Sequence, residues 1–92
     1  MDYITGGVGM NLEQELLTHI LKEHLPGESP ESLKPDDDLI GSGILDSLAM
    51  LNLVTHLERQ YGVVVGAEEM DPGNFASVAA LAKFVASKQM RA

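Results

Sequence analysis

Ser47 is the side chain best placed for another molecule to act on. It closes the segment Asp38-Leu-Ile-Gly-Ser-Gly-Ile-Leu-Asp-Ser, and Leu48 follows it. Gly41 and Gly43 leave room around it, and a helix beginning there puts the hydroxyl at a helix end, away from packed faces. An exposed hydroxyl beside the apolar anchors Leu45 and Leu48 is an accessible target for a modifying enzyme. The plain alternative is that Asp46 and Ser47 only start a helix, a position both residue types favour.

The remaining chemistry-bearing residues converge on nothing stronger. Ser47 and His56 are nine residues apart, about 180° around one helix, so they face opposite ways. No Gly-x-Ser-x-Gly elbow is present. His19 falls on the wet side of a first helix, and His24 stands near its C-terminus, where it suits the helix dipole. Neither a catalytic triad nor a histidine metal site is expected. Asp36 and Asp38, with Gly41, imitate the first, third and sixth positions of a calcium loop. The fifth would then be Ile40 and the twelfth Ser47, so two required oxygens are missing. Loose divalent binding to this self-repelling cluster is the expectation instead.

Three segments with helical periodicity must position these residues. In the first, from about Leu12 to Leu25, the residues Leu12, Leu16, Leu17, Ile20 and Leu21 share a face. Asn11 is its expected N-cap, and Pro26-Gly27 stops it. The second is expected from Ser47 to about Tyr61, with Asp46 as N-cap and Gly62 as C-terminal stop. Met50, Leu51, Leu53, Val54, Leu57 and Tyr61 form its broad apolar face, opposite Asn52, His56 and Arg59. The third opens after Ser77 and buries Val78, Leu81, Ala82 and Val85, with Lys83 and Ser87 wet and Lys88 suited to the dipole. Glu68 to Phe75 reads as a turn or one short helix. Val63-Val64-Val65 is too short for a sheet and extends across the bundle. Nineteen residues, Gly27 to Leu45, separate the first two helices. A connection this long is uncommon in a compact domain, so it is expected to be functional and pinned across the core by Leu33, Leu39 and Ile44. The fold class is all-α: a small four-helix bundle, three long helices and one short, with a crossing loop after the first.

Composition narrows the function. Of 92 residues, 14 are acidic and 6 basic, for a net charge of -8. That excludes nucleic acid as a natural ligand, because phosphate is repelled and no basic cluster exists to release counterions. Between Glu28 and Asp46 six acids face one base, Lys34, so one segment holds most of the excess charge. The chain has no cysteine, which removes disulfides, side-chain thiolate chemistry and cysteine zinc sites. Apolar residues make up 45%, enough for one small core and too many for disorder. No run is long and apolar enough for a membrane span, and the first ten residues lack the pattern of a secretion signal. A cytoplasmic protein is the expectation. Residues 1–9 read as a flexible leader or tag remnant, and 10–90 as the folded domain.

The pattern as a whole resembles the acyl carrier protein family, with its peptidyl and aminoacyl relatives. The resemblance is carried by Pro35-Asp-Asp-Asp-Leu, by Gly43-Ile-Leu-Asp-Ser-Leu opening an apolar helix that ends in Tyr61-Gly62, and by Asp71-Pro-Gly-Asn-Phe-Ala-Ser-Val-Ala-Ala-Leu81. It covers about residues 11 to 89. It implies that Ser47 carries a covalent 4′-phosphopantetheine arm, attached from coenzyme A by a separate phosphopantetheinyl transferase. Acyl or aminoacyl groups would ride on the arm's thiol as thioesters, so a chain without cysteine would still do thiol chemistry. It further implies that the protein is no enzyme, and that it is a monomer serving a loading enzyme and a downstream synthase or transferase. Asp46, Leu48 and Met50 would form the docking surface for those partners. Fatty-acid-type carriers place acids at the second and fifth positions after the serine. Here those positions are Ala49 and Asn52, Arg59 adds a positive charge, and Glu58 is the helix's only acid. The lead-in Gly43-Ile-Leu-Asp46 and the stretch Asn74 to Val78 look more like discrete carriers of polyketide, nonribosomal-peptide or D-alanine-type pathways. Two rivals stand beside this reading: a primary fatty-acid carrier, and an unmodified acidic helical adaptor that binds a basic partner.

Overall fold

A computed structural model describes residues 8–91. Four α-helices follow in chain order: α1 (Val8–His24), α2 (Ser47–Tyr61), α3 (Pro72–Phe75) and α4 (Val78–Arg91). Single 3-10 turns at Pro30–Ser32 and Ala67–Glu69 interrupt the connections. No strand occurs among the described residues, and the expected all-α bundle with one short helix is what forms.

The helix ends follow local chemistry. The Asp46 side chain accepts a hydrogen bond from the Ala49 N–H at 2.8 Å, and α2 stops at Gly62, whose φ of 69° is left-handed. Asp71 caps α3 through Gly73 N–H, with Pro72 at the first helical position. Ser77 Oγ accepts from Ala80 N–H at 3.1 Å to open α4. The first helix departs from expectation. It begins at Val8, so Asn11 lies inside it and is not its N-cap, and Val8 and Gly9 belong to the helix. The rest of the expected leader falls outside the described residues.

The core gathers Leu12, Leu16, Leu17 and Ile20 of α1, Leu53 and Leu57 of α2, Phe75 of α3, and Val78, Leu81 and Val85 of α4. Helix α1 packs chiefly on α4. The rings of Phe75 and Phe84 meet at 5.8 Å, tilted by 48°. The long connection does cross this core: Leu33, Leu39 and Leu45 are buried. Ile44, expected as an anchor, is only half-buried, because the chain turns at Gly43 (φ 86°) and the next inward position is Leu45. Two backbone bonds stitch the loop to the α3–α4 corner: Leu39 N–H to Ala76 O at 2.8 Å, and Ala79 N–H to Pro35 O at 2.9 Å. The second satisfies a donor that the first turn of α4 would otherwise leave without a partner.

On α2 the buried positions are Ala49, Leu53 and Leu57, spaced by four, with Met50, Val54 and Tyr61 half-buried beside them. Leu51 is not part of that face. It lies about 160° from the centre of the buried arc, at 100° per residue, and is 55% exposed. His56, expected on the wet face, is half-buried at the arc's edge. Val63 to Val65 lies outside any helix or strand, with Val63 buried and Val64 exposed.

Candidate functional site: the opening turn of α2

Ser47 is the first residue of α2 and is exposed. Among the described residues no hydrogen bond engages its side chain. The neighbouring carboxylate is occupied, since Asp46 Oδ1 holds the Ala49 N–H while its carbonyl takes the Met50 N–H at 2.9 Å. The cap therefore fixes the helix start and leaves the serine hydroxyl to solvent. Leu48 beside it is 69% exposed, a large apolar side chain held out from the body by the first turn. Met50 is half-buried against the core, so most of the exposed apolar surface here belongs to Leu48 and Leu51. The loop before the site is well hydrogen-bonded for so polar a segment. Asp38 Oδ1 accepts from Gly41 N–H at 2.8 Å and from Ile40 N–H at 3.2 Å, and Leu45 N–H returns to Leu39 O at 2.9 Å. The aspartate run is thus partly spent on turn structure, and no group of three or more acidic or histidine side chains arranged for a metal occurs among the described residues.

A groove of about 480 Å³ lies beside this turn, between the end of α1, residues 43–46 and the start of α2. His24 lines it, and the imidazole's Nε2 is buried with no hydrogen-bond partner. Further along the α1–α2 seam the rings of His19 and His56 stack, 3.5 Å between centroids and 8° from parallel. Imidazole lone pairs lie in the ring plane, so stacked rings cannot aim them at one metal ion. Burial lowers the His19 pKa to about 4, helped by the repulsion of His56 and opposed by Glu23. His56 is lowered as well, again mainly by burial. Beyond them Tyr61 Oη donates to Glu15 Oε1 at 2.8 Å, and burial together with that bond raises the tyrosine pKa. Sequence position alone leaves the histidines unconnected, because they come from different helices. The available signal is their spacing, His19 three residues after Leu16 and His56 three after Leu53, which sets each ring at the rim of the buried face. Lys88, expected only to favour the helix dipole, pairs with Glu69 at 2.6 Å.

A hydroxyl that nothing covers, at the first residue of a helix, can accept a phosphodiester without displacing structure. The positive end of α2 would lie beside the new charge. Nearby, an imidazole nitrogen still lacks a partner. These residues fit a phosphate-linked, amide-bearing arm.

Fold and site thus define a small all-α bundle that presents an unengaged serine hydroxyl at the head of a helix. The pattern described as "Phosphopantetheine attachment site" matches residues 15–85. A probable acyl carrier protein, PigG, from Serratia sp. (strain ATCC 39006), is 35% identical over 74 residues, 80% of this chain and 84% of that protein. Among solved structures, a chain in one described as "Crystal structure of FAD-dependent dehydrogenase" is similar with a TM-score of 0.70 and 36% identity, covering 76% of this chain and 97% of that one. The chain belongs to the acyl carrier protein family, whose members act through a covalently attached 4′-phosphopantetheine. Membership decides between the carrier and the unmodified adaptor in favour of the carrier. No described helix is long and apolar enough to cross a membrane.

Proposed function

We propose that Ser47 is the attachment point of the 4′-phosphopantetheine arm, and that the folded domain is a monomeric, cytoplasmic carrier of acyl or aminoacyl thioesters in a specialised biosynthetic pathway. The observation that carries this reading is the exposed, unengaged hydroxyl at the head of α2. In priming, Ser47 Oγ bonds to the phosphorus that bears the pantetheine of coenzyme A. The bond from that phosphorus to the adenosine bisphosphate breaks, and the hydroxyl proton leaves to a base on the transferase. The arm supplies a thiol on which cargo is held as a thioester, and tethering keeps that cargo at high effective concentration for each partner. Asp46 holds the first turn in place, while Leu48, with Leu51 and the exposed part of Met50, offers the apolar contact for partner enzymes. The acidic loop steers basic partners from a distance.

The specialised pathway is favoured over primary fatty-acid synthesis by the neutral Ala49 and Asn52 and by Arg59. Ala49 is moreover buried, so no side chain there reaches a partner. The similar chain from the crystal structure of an FAD-dependent dehydrogenase supports a flavin dehydrogenase as one enzyme that acts on the loaded cargo. Incubation with coenzyme A and a broad-specificity phosphopantetheinyl transferase is expected to add one phosphopantetheinyl group to the intact mass. Ser47→Ala is expected to add none while keeping its helical circular dichroism. A wild-type chain that stays unmodified, or a Ser47→Ala chain that gains the group, defeats the assignment. Loading by an adenylating ligase, compared with a malonyl transferase, separates the specialised from the fatty-acid carrier.

A further inference from the structure

The groove beside Ser47 holds an unpaired buried nitrogen and has no assigned occupant. Leaving a buried polar atom unsatisfied is unfavourable, and native structures rarely do so without a ligand, a water or a function behind it. His24 Nε2 is such an atom, and His24 lines the groove. Asn52 lines it too, and its side chain makes no hydrogen bond among the described residues. Ile44 and Ala49 add apolar surface to a lining that is otherwise mostly polar. At about 480 Å³ the space has the size of a small-molecule site. An alkyl chain finds little to bury there, whereas a chain of amides finds partners.

We propose that this groove is a resting berth for the neutral, amide-bearing part of the phosphopantetheine arm, with His24 Nε2 and the Asn52 side chain as its hydrogen-bonding partners. The inference rests on Ser47 being the attachment residue. Glu23 and Asp46 also line the groove, so their negative charge keeps the phosphodiester at the rim and admits only the uncharged portion. Ser47 does not line it, although both sequence neighbours, Asp46 and Leu48, do. By helical rotation the serine stands on the other flank of α2. Because it is the first helical residue, only the open end of the helix separates it from the groove. An extended amide chain spanning ~3.3–3.6 Å per residue reaches on the order of 15 Å with its two amide units and pantoyl head, enough to round a helix about 10 Å across. The tether makes occupancy intramolecular, so weak contacts suffice. A docked arm shields its thiol and must leave the groove to reach a partner's active site.

The test uses ¹³C,¹⁵N-labelled protein primed with unlabelled coenzyme A and followed by intact mass and isotope-filtered NMR. The expected result is a full mass gain, nuclear Overhauser contacts from arm protons to the Ile44 and Ala49 methyls, and a shift of the His24 Nε2 resonance relative to the unprimed chain. Asn52→Trp fills the groove from an exposed position. That variant is expected to be primed fully yet to lose both signals. A full mass gain with no arm contact at Ile44, Ala49 or His24 overturns the berth and leaves the attachment at Ser47 standing, with a bound water then satisfying Nε2. Absence of the mass gain overturns the attachment and the berth together.

Discussion

His19 and His56 bring two rings that want protons in acid into a contact that rejects them. At 3.5 Å separation, two imidazolium charges would repel strongly, and partial burial already disfavours one. The groups facing the pair are Glu15, Lys22, Glu23 and His24 of α1 and Tyr61 of α2, and the attraction of Glu23 and Glu15 offsets only part of the burial penalty. The sign follows from comparing the two states. Unfolded, His19 takes a proton near 6.5, and folded it resists until about 4. Below 6.5 the unfolded chain therefore binds more protons, so stability is full above that value and falls as pH drops towards 4. His56 acts in the same direction. Urea unfolding of the wild type is expected to show a midpoint declining between pH 6.5 and 4, with a shallower decline in His19→Gln. Equal slopes in the two proteins would refute a role for the stack. The half-exposure of the rings moderates the size of the effect, since solvent screens such charges.

Helix α2 is set at both ends by a single residue, Asp46 by its side chain and Gly62 by its backbone. Removing the carboxylate in Asp46→Ala strands the Ala49 N–H, and a lost cap of this kind costs about 1 kcal/mol, within a range of roughly 0.5–2. Chemical denaturation is expected to register that loss, and amide exchange should accelerate at residues 48 to 50 before the rest of the helix. A slower rate of priming is expected as well, because fraying of the first turn releases Ser47 from its fixed position. Were exchange at 48 to 50 unchanged, the cap would not be what holds the turn. The loop before α2 is an element in its own right, since its backbone bonds reach the α3–α4 corner and its leucines enter the core.

The whole molecule depends on that loop for part of its interior. Leu39 is fully buried, and truncating such a leucine to alanine costs about 2–5 kcal/mol, a large share of the ~5–15 kcal/mol typical of a domain. Leu39→Ala is expected to lower the urea midpoint severely, and a loss below roughly 1 kcal/mol would show that the loop is an appendage. Charge acts at the same scale. With a net charge of -8 the compact state repels itself, and millimolar Mg²⁺ at low ionic strength is expected to raise the melting temperature. A flat titration would mean that the capping and turn bonds of Asp37 and Asp38 already hold the acidic segment against its own repulsion.

Local rules were enough for the parts of this protein that depend on neighbours in the chain. The bounds of α2, its caps at Asp46 and Gly62, the capping Ser77, the buried stripe of α4 and the Asp46-Ser47-Leu48 triplet all follow from residue types and a period of 3.6, because capping and amphipathicity act over one or two turns. Only the assembled helices decided what depends on distant segments. Leu51 reaches solvent while Leu45 is buried, because the arc each helix buries is set by where its neighbours lie. His19 finds His56 across the seam, Tyr61 finds Glu15, and Lys88 finds Glu69, since nothing in a helix's own period names a partner tens of residues away. The groove with its unpaired His24 nitrogen is of the same kind, a space between three segments.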